Sequence, residues 1–280
     1  MAPRFWYRPP GLLLRLFGRL APGRGPARTK LQEPPVPVIS VRSLSLGGTG
    51  KTPGVIAIAQ RLAAQGKRVH VVTRGAGPAL RIDERAHDPA IVGDEPLLIA
   101  AFAPTWSAAD PLGAIVAAAQ EGAEVIVLDG AAQEAGIAAG VQVIVEDAVR
   151  GFGNGFAWPL GPLKRRVSRG LAGADLLIAV GAPAAQEAFR RAWGAAVPCP
   201  IVPAQLAALE TGMEWSGLNV VAFAGIGAPE RFFANLKGLG ANLVRAQALS
   251  DHQELTPALM ARLEKQAMAD HAQLVTTEQD

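Results

Sequence analysis

Apolar positions along the chain fall into two alternating rhythms. Short, nearly continuous apolar runs occur at 36–41, 68–73, 124–129, 141–146, 175–180, 219–225 and 273–276. That pattern suits strands of a parallel sheet covered on both faces. Between them lie helix-like runs at 55–64, 95–101, 111–120, 183–193, 229–239 and 257–270. Strand and helix in alternation predict a doubly wound α/β fold with a mostly parallel sheet. No internal repeat is evident. Proline and glycine thicken at 151–162 and 198–203, which places a junction within 150–215. The expected organisation is an arm at 1–32, a core at 33–205 and a smaller C-terminal α/β part at 206–280.

The arm has a different pattern. After Phe5-Trp6-Tyr7-Arg8-Pro9-Pro10, residues Leu13, Leu16, Phe17 and Leu20 share one helical face, while Arg15 and Arg19 lie one turn apart on another. The run is too short and too charged to span a bilayer. An interfacial amphipathic helix fits better, with Trp6 and Tyr7 at headgroup depth and arginines toward anionic lipid. A helix packed on the body, a basic tail and part of a targeting peptide are the competing readings.

Composition sharpens this division. Half of the 280 residues are hydrophobic and only 5% are aromatic, so Ala, Leu and Val must build the core. Residues 1–32 carry seven arginines and lysines and no acid, leaving 20 basic residues against 24 acidic ones in the body. A mildly acidic body argues against nucleic acid as a partner. The single cysteine, Cys199, excludes an internal disulfide framework and fits a reducing compartment.

The first strand-like run ends in Leu46-Gly47-Gly48-Thr49-Gly50-Lys51-Thr52-Pro53, followed by a helix-like run. Strand, glycine loop, Lys-Thr and helix is the layout of a phosphate-binding loop. Gly47, Gly48, Thr49 and Gly50 would turn backbone N–H groups toward phosphate oxygens, and the helix N-terminus adds positive potential. Lys51 would reach the β- and γ-phosphates of ATP, and the Thr52 hydroxyl would ligate Mg²⁺. The strict pattern asks for a glycine where Ser45 stands. A plain glycine-rich turn is the alternative.

Four further groups carry candidate chemistry. The strand-like 124–129 ends in Asp129, a metal carboxylate or a turn cap. Asp94, in Val92-Gly93-Asp94-Glu95-Pro96, is a general base toward a hydroxyl or a helix N-cap. His252, beside Asp251, is a base or orienting partner, or a solvated surface histidine. The stretches Arg150-Gly151-Phe152-Gly153-Asn154-Gly155 and Gly161-Pro162-Leu163-Lys164-Arg165-Arg166 read either as ligand cradles or as surface loops.

Taken in order, these motifs resemble the tetraacyldisaccharide 4′-kinase family, the lipid A 4′-kinases of Gram-negative bacteria. The resemblance runs from the Phe-Trp-Tyr-Arg-Pro-Pro arm through Thr73-Arg74-Gly75 and the motifs above. It continues through Ala174-Asp175, Phe223-Ala224-Gly225-Ile226-Gly227, Pro229-Glu230-Arg231-Phe232-Phe233 and Asp251-His252 to Thr276-Thr277-Glu278. It implies a P-loop NTPase-like kinase that uses ATP and Mg²⁺. The acceptor would be the 4′-hydroxyl of a tetraacylated glucosamine disaccharide 1-phosphate, at the cytoplasmic face of the inner membrane. It also implies Asp94 as the base, paired with His252, Lys51 and Thr52 on phosphates and Mg²⁺, and Asp129 at the metal.

The chain departs from the family pattern at several points. Leu128 replaces the first Asp of an Asp-Asp-Gly sequence, and Arg42-Ser43 replaces Gly-Asn before the loop. Ala76 and Ala228 replace an aromatic and an arginine, and the chain ends at Asp280 where members continue. Two other readings follow: a catalytically impaired homologue that binds nucleotide or lipid, and a membrane-associated P-loop ATPase acting on a protein partner.

Overall fold

The computed structural model describes residues 31–207, 213–226, 229–250, 253 and 255–277. The expected arm helix and His252 lie outside the described residues. Between Leu206 and Ala207 the chain divides into two compact units.

The first unit is built on an eight-stranded sheet. Its strands are β1 (Val38–Arg42), β2 (Val69–Arg74), β3 (Leu80–Ile82), β4 (Thr105–Ala108), β5 (Val125–Asp129), β6 (Val141–Asp147), β7 (Leu176–Val180) and β8 (Ile201–Ala204). They lie in the order β3-β4-β2-β5-β1-β6-β7-β8. All pairs are parallel except β3 with β4. Helices α1 (Lys51–Ala64), α2 (Pro89–Val92), α3 (Asp94–Ala100), α4 (Pro111–Gln120), α5 (Val167–Gly170) and α6 (Pro183–Trp193) connect them.

Side-chain alternation along each strand splits the core between two faces. Val38, Ile126 and Leu128 pack with Ala114, Ile115 and Ala118 of α4. Val41, Val127, Val143 and Val145 face the other way, onto Val55 and Ala59 of α1 and Ile99 of α3. Toward β8, Ile144, Leu177 and Ala179 pack with Phe152, Leu163 and Phe189.

Four strands were not legible as apolar runs. β4 buries Thr105 and Ser107, so its sequence looks polar. β8 carries Pro203, which an edge strand tolerates because no N–H is needed on its outer side. β3 is a three-residue edge strand. In the second unit, β10 (Asn242–Ala248) is largely exposed. That unit is a parallel sheet ordered β10-β9-β11, with β9 at Asn219–Ala224 and β11 at Gln273–Val275. Val220 and Ala222 of β9 pack with Leu236 of α7 (Pro229–Gly238), and α8 (Pro257–Ala269) buries Leu263 and Ala267.

Connections set the position of the site. From β1 the chain crosses past β5 to reach β2, whereas from β5 it crosses past β1 to reach β6. Adjacent strands whose connections leave in opposite directions open a crevice at their C-terminal ends, the favoured ligand position of such sheets.

Candidate active site

The loop between β1 and α1 lies in that crevice. Gly50 caps α1 in a left-handed conformation, φ 85°, and Gly47 has φ +86°. The positive φ favours glycine there, and a Cβ on Gly50 would in addition lie a tight 3.3 Å from Val180. Helix α1 begins at Lys51, earlier than the apolar run at Val55. Pro53 is compatible with a first turn, where an N–H has no intrahelical partner.

Residues more than a hundred positions away hold this loop. Glu146, at the end of β6, is fully buried. Its Oε1 accepts from the N–H of Leu44 and from that of Ser45 at 3.1 Å. Its Oε2 is buried with no partner among the described residues. Burial holds the Glu146 pKa above the usual carboxylate value, against the opposing hydrogen bonds from Ser45 and Leu44. The Leu46 N–H donates to Pro162 O at 2.8 Å, the Lys164 N–H donates to Leu44 O at 2.7 Å, and the Ser45 hydroxyl donates to Gly151 O at 3.4 Å.

The Arg-Gly-Phe-Gly-Asn-Gly stretch is therefore a brace behind the phosphate loop. Phe152 is fully buried, edge-on to Phe189 and Trp193 with centroids at 5.5 and 5.2 Å. Gly153 has φ +58°, and a Cβ there would meet Pro162 at 2.6 Å. Asn154 ties the turn by donating to Leu160 O at 2.8 Å and accepting from the Phe156 N–H at 3.1 Å.

The chemistry sits at the start of α1. The Lys51 ammonium donates to Asp129 Oδ1 and lies 4.0 Å from Glu95 Oε2. The Thr52 hydroxyl donates to Glu95 Oε1 at 3.2 Å. Asp129 ends β5 with its side chain 4% exposed. Burial pushes its pKa up, opposed by the Lys51 charge and hydrogen bond. Asp94 is half-buried at the first position of α3. Glu95, its neighbour in that motif, reaches both Thr52 and Lys51. Sequence reasoning gave Glu95 no role, although it stands in the same motif.

Next to Lys51 opens a cavity of about 230 Å³ at the ends of β1 and β5. Arg42, Lys51, Arg74, Lys164 and Arg165 line it, with Asp129, Glu134 and Leu128. Arg165 pairs with Glu134 at 2.8 Å, and the Lys164 ammonium donates to the Ser43 hydroxyl at 3.2 Å. Leu128 is 2% exposed and belongs to the apolar cluster around Ile115 and Ala132.

Among the described residues no group of three or more His, Cys, Asp or Glu side chains forms a ready-made metal cage. Mg²⁺ does not need one, because it is held by one or two carboxylates with waters and substrate phosphates. Thr52 and Asp129, both adjoining Lys51 and its Glu95 contact, fit such a shared site.

Comparison with known proteins agrees over nearly the whole chain. A family model for LpxK, tetraacyldisaccharide-1-P 4′-kinase, matches residues 7–280. The tetraacyldisaccharide 4′-kinase of Dinoroseobacter shibae is 48% identical over 99% of this chain and 87% of that protein. That of Jannaschia sp. is 45% identical over 100% of this chain and 88% of that protein. A crystal structure of Aquifex aeolicus LpxK in complex with ATP shares the fold, with TM-score 0.67 and 22% identity, over 90% of this chain and 80% of that one.

Proposed function

The chain belongs to the tetraacyldisaccharide-1-P 4′-kinase family, and on that premise we propose that it transfers the γ-phosphate of ATP to the 4′-hydroxyl of a tetraacylated glucosamine disaccharide 1-phosphate. The observation that carries the reading is the braced loop that delivers Lys51 and Thr52 beside Asp129 at the sheet's switch point. Phosphoryl transfer demands positioning and charge neutralisation more than covalent chemistry.

Each residue has a defined part in this reading. Backbone N–H groups of Gly47–Gly50 and the α1 N-terminus receive the β- and γ-phosphates. Lys51 neutralises the developing charge. Thr52 and Asp129 would hold Mg²⁺, which would supply further charge neutralisation when bound. Asp94 takes the proton of the 4′-hydroxyl, with His252 as its partner. Glu95 orients Lys51 and the Thr52 hydroxyl. Residues 1–32 bring the enzyme to the cytoplasmic face of the inner membrane as a peripheral or monotopic protein. No helix among the described residues is long and apolar enough to cross a membrane.

The test is transfer of labelled phosphate from ATP to the lipid disaccharide by the purified chain with Mg²⁺. Lys51→Ala and Asp94→Asn should each lose about 10²-fold or more in kcat, the scale of removing one preorganised group. Folded wild-type protein without turnover overturns the reading. Activity that survives Asp94→Asn but not Glu95→Gln reassigns the base.

A further inference from the structure

The cavity beside Lys51 carries more positive charge than its carboxylates neutralise. Lys51 is paired with Asp129, and Arg165 with Glu134. Arg42, Arg74 and Lys164 line the same cavity, and among the described residues none of them has a carboxylate at ion-pair distance.

Arg42 stands out because its position is unfavourable for folding alone. It is the last residue of β1 and half-buried. Its guanidinium has no hydrogen-bond or ion-pair partner among the described residues. Burial lowers its pKa; Glu134 partly offsets this, the Arg165 charge lowers it further, and Glu146 opposes from a distance. A half-buried cation beside a like charge costs stability unless an anion answers it. A guanidinium also matches the planar, two-oxygen edge of a phosphate better than an ammonium does.

We propose that Arg42, with Lys164, forms an anion subsite beside Lys51 that takes a phosphomonoester group. The inference rests on the kinase reading and adds to it a second phosphate contact. Two phosphates of the reaction have this chemistry: the group in transfer, and the phosphate that the acceptor already carries. The cavity has room for one such group with part of a sugar, being smaller than a pocket for a whole drug-sized ligand.

Arg42→Met tests this by keeping the stem and removing the charge. Binding of inorganic phosphate to the full chain is measured by calorimetry, with ADP saturating so that the nucleotide's own phosphate positions are filled. The variant should bind phosphate about tenfold more weakly, the scale of one charged hydrogen-bonded contact. Its melting temperature should be unchanged or higher, because a half-buried cation with no carboxylate at ion-pair distance is gone. Arg42→Lys should bind at an intermediate level, and it serves alone if Arg42→Met does not fold. Kinetics with MgATP then separate the two sources. A penalty confined to acceptor bearing its 1-phosphate assigns the acceptor's phosphate; an equal penalty on acceptor lacking it assigns the group in transfer. Unchanged phosphate binding with unchanged kinetics overturns the subsite. Wild-type protein that phosphorylates neither acceptor overturns the kinase reading instead, and the calorimetry still decides the subsite.

Discussion

Replacing Glu146 with alanine removes the acceptor that the Leu44 and Ser45 amides share. Both amides lie in a buried stretch, so each is left unsatisfied at about 1–3 kcal/mol. The unfolding free energy of the larger unit should therefore fall by about 2–6 kcal/mol. Glu146→Gln keeps an oxygen on the same two amides and removes the buried charge. Its cost is an amide group where Oε2 has no partner among the described residues. The two substitutions thus separate loss of the tether from loss of the charge.

The pH dependence provides the sharper test. Burial raises the folded-state pKa of Glu146, so the folded chain holds that proton more tightly than the unfolded chain does. The wild-type side chain contributes most below the unfolded value of about 4.3. That contribution diminishes as pH rises through the raised folded value, and then levels off. Glutamine does not titrate. The stability difference, Glu146→Gln minus wild type, should therefore rise with pH across that window and plateau above it. Urea unfolding of the three proteins between pH 4.5 and about 8 measures it. A pH-independent difference, or an alanine variant as stable as the glutamine variant, refutes the reasoning.

Three further outcomes are expected. Gly50→Ala should cost about 1–2 kcal/mol and weaken ATP binding, because φ is 85° and Val180 is 3.3 Å from the new Cβ, whereas Gly48→Ala meets nothing within 4 Å and should be mild; calorimetric ATP titration compares them. His70 accepts from the Trp106 indole at 3.2 Å, and burial, with Arg81 adding to it, holds its pKa down; stability should fall as pH drops below about 6.5, and His70→Gln should flatten that slope in thermal melts. Leu128→Asp places a carboxylate in an apolar cluster beside Asp129; it should lower the metal-free melting temperature, and Mg²⁺ should raise it more than in wild type if two carboxylates there hold the ion better than one.

Strands β1, β2, β5, β6, β7 and β9 were legible because burial on both faces leaves a continuous apolar run. β4 was not, since Thr105 and Ser107 are buried, the Thr105 hydroxyl being answered locally by donating to Ala103 O at 2.8 Å. The phosphate loop was legible because Gly50 and Gly47 are demanded by backbone angles that leave a mark in sequence. Glu146 left no mark, because a glutamate closing an apolar strand reads the same whether it meets solvent or two buried amides. The glycines at 151–155 were ambiguous for a different reason. They permit close packing against Trp193 and Pro162, and such packing has the same composition as a ligand-binding loop.

The brace behind the phosphate loop has a consequence for how the enzyme is made. Its hydrogen bonds join residues 101, 102 and 106 positions apart. Loop closures of that span are late events in folding. During synthesis, the segment 43–50 emerges long before 146–164, and it has no partner to fix its shape until then. Nucleotide affinity should thus arise in one step, after Lys164 has left the ribosome and β6 has joined β1. ATP binding by a nascent or destabilised chain then reports completed assembly of the larger unit, and not the mere presence of the glycine motif.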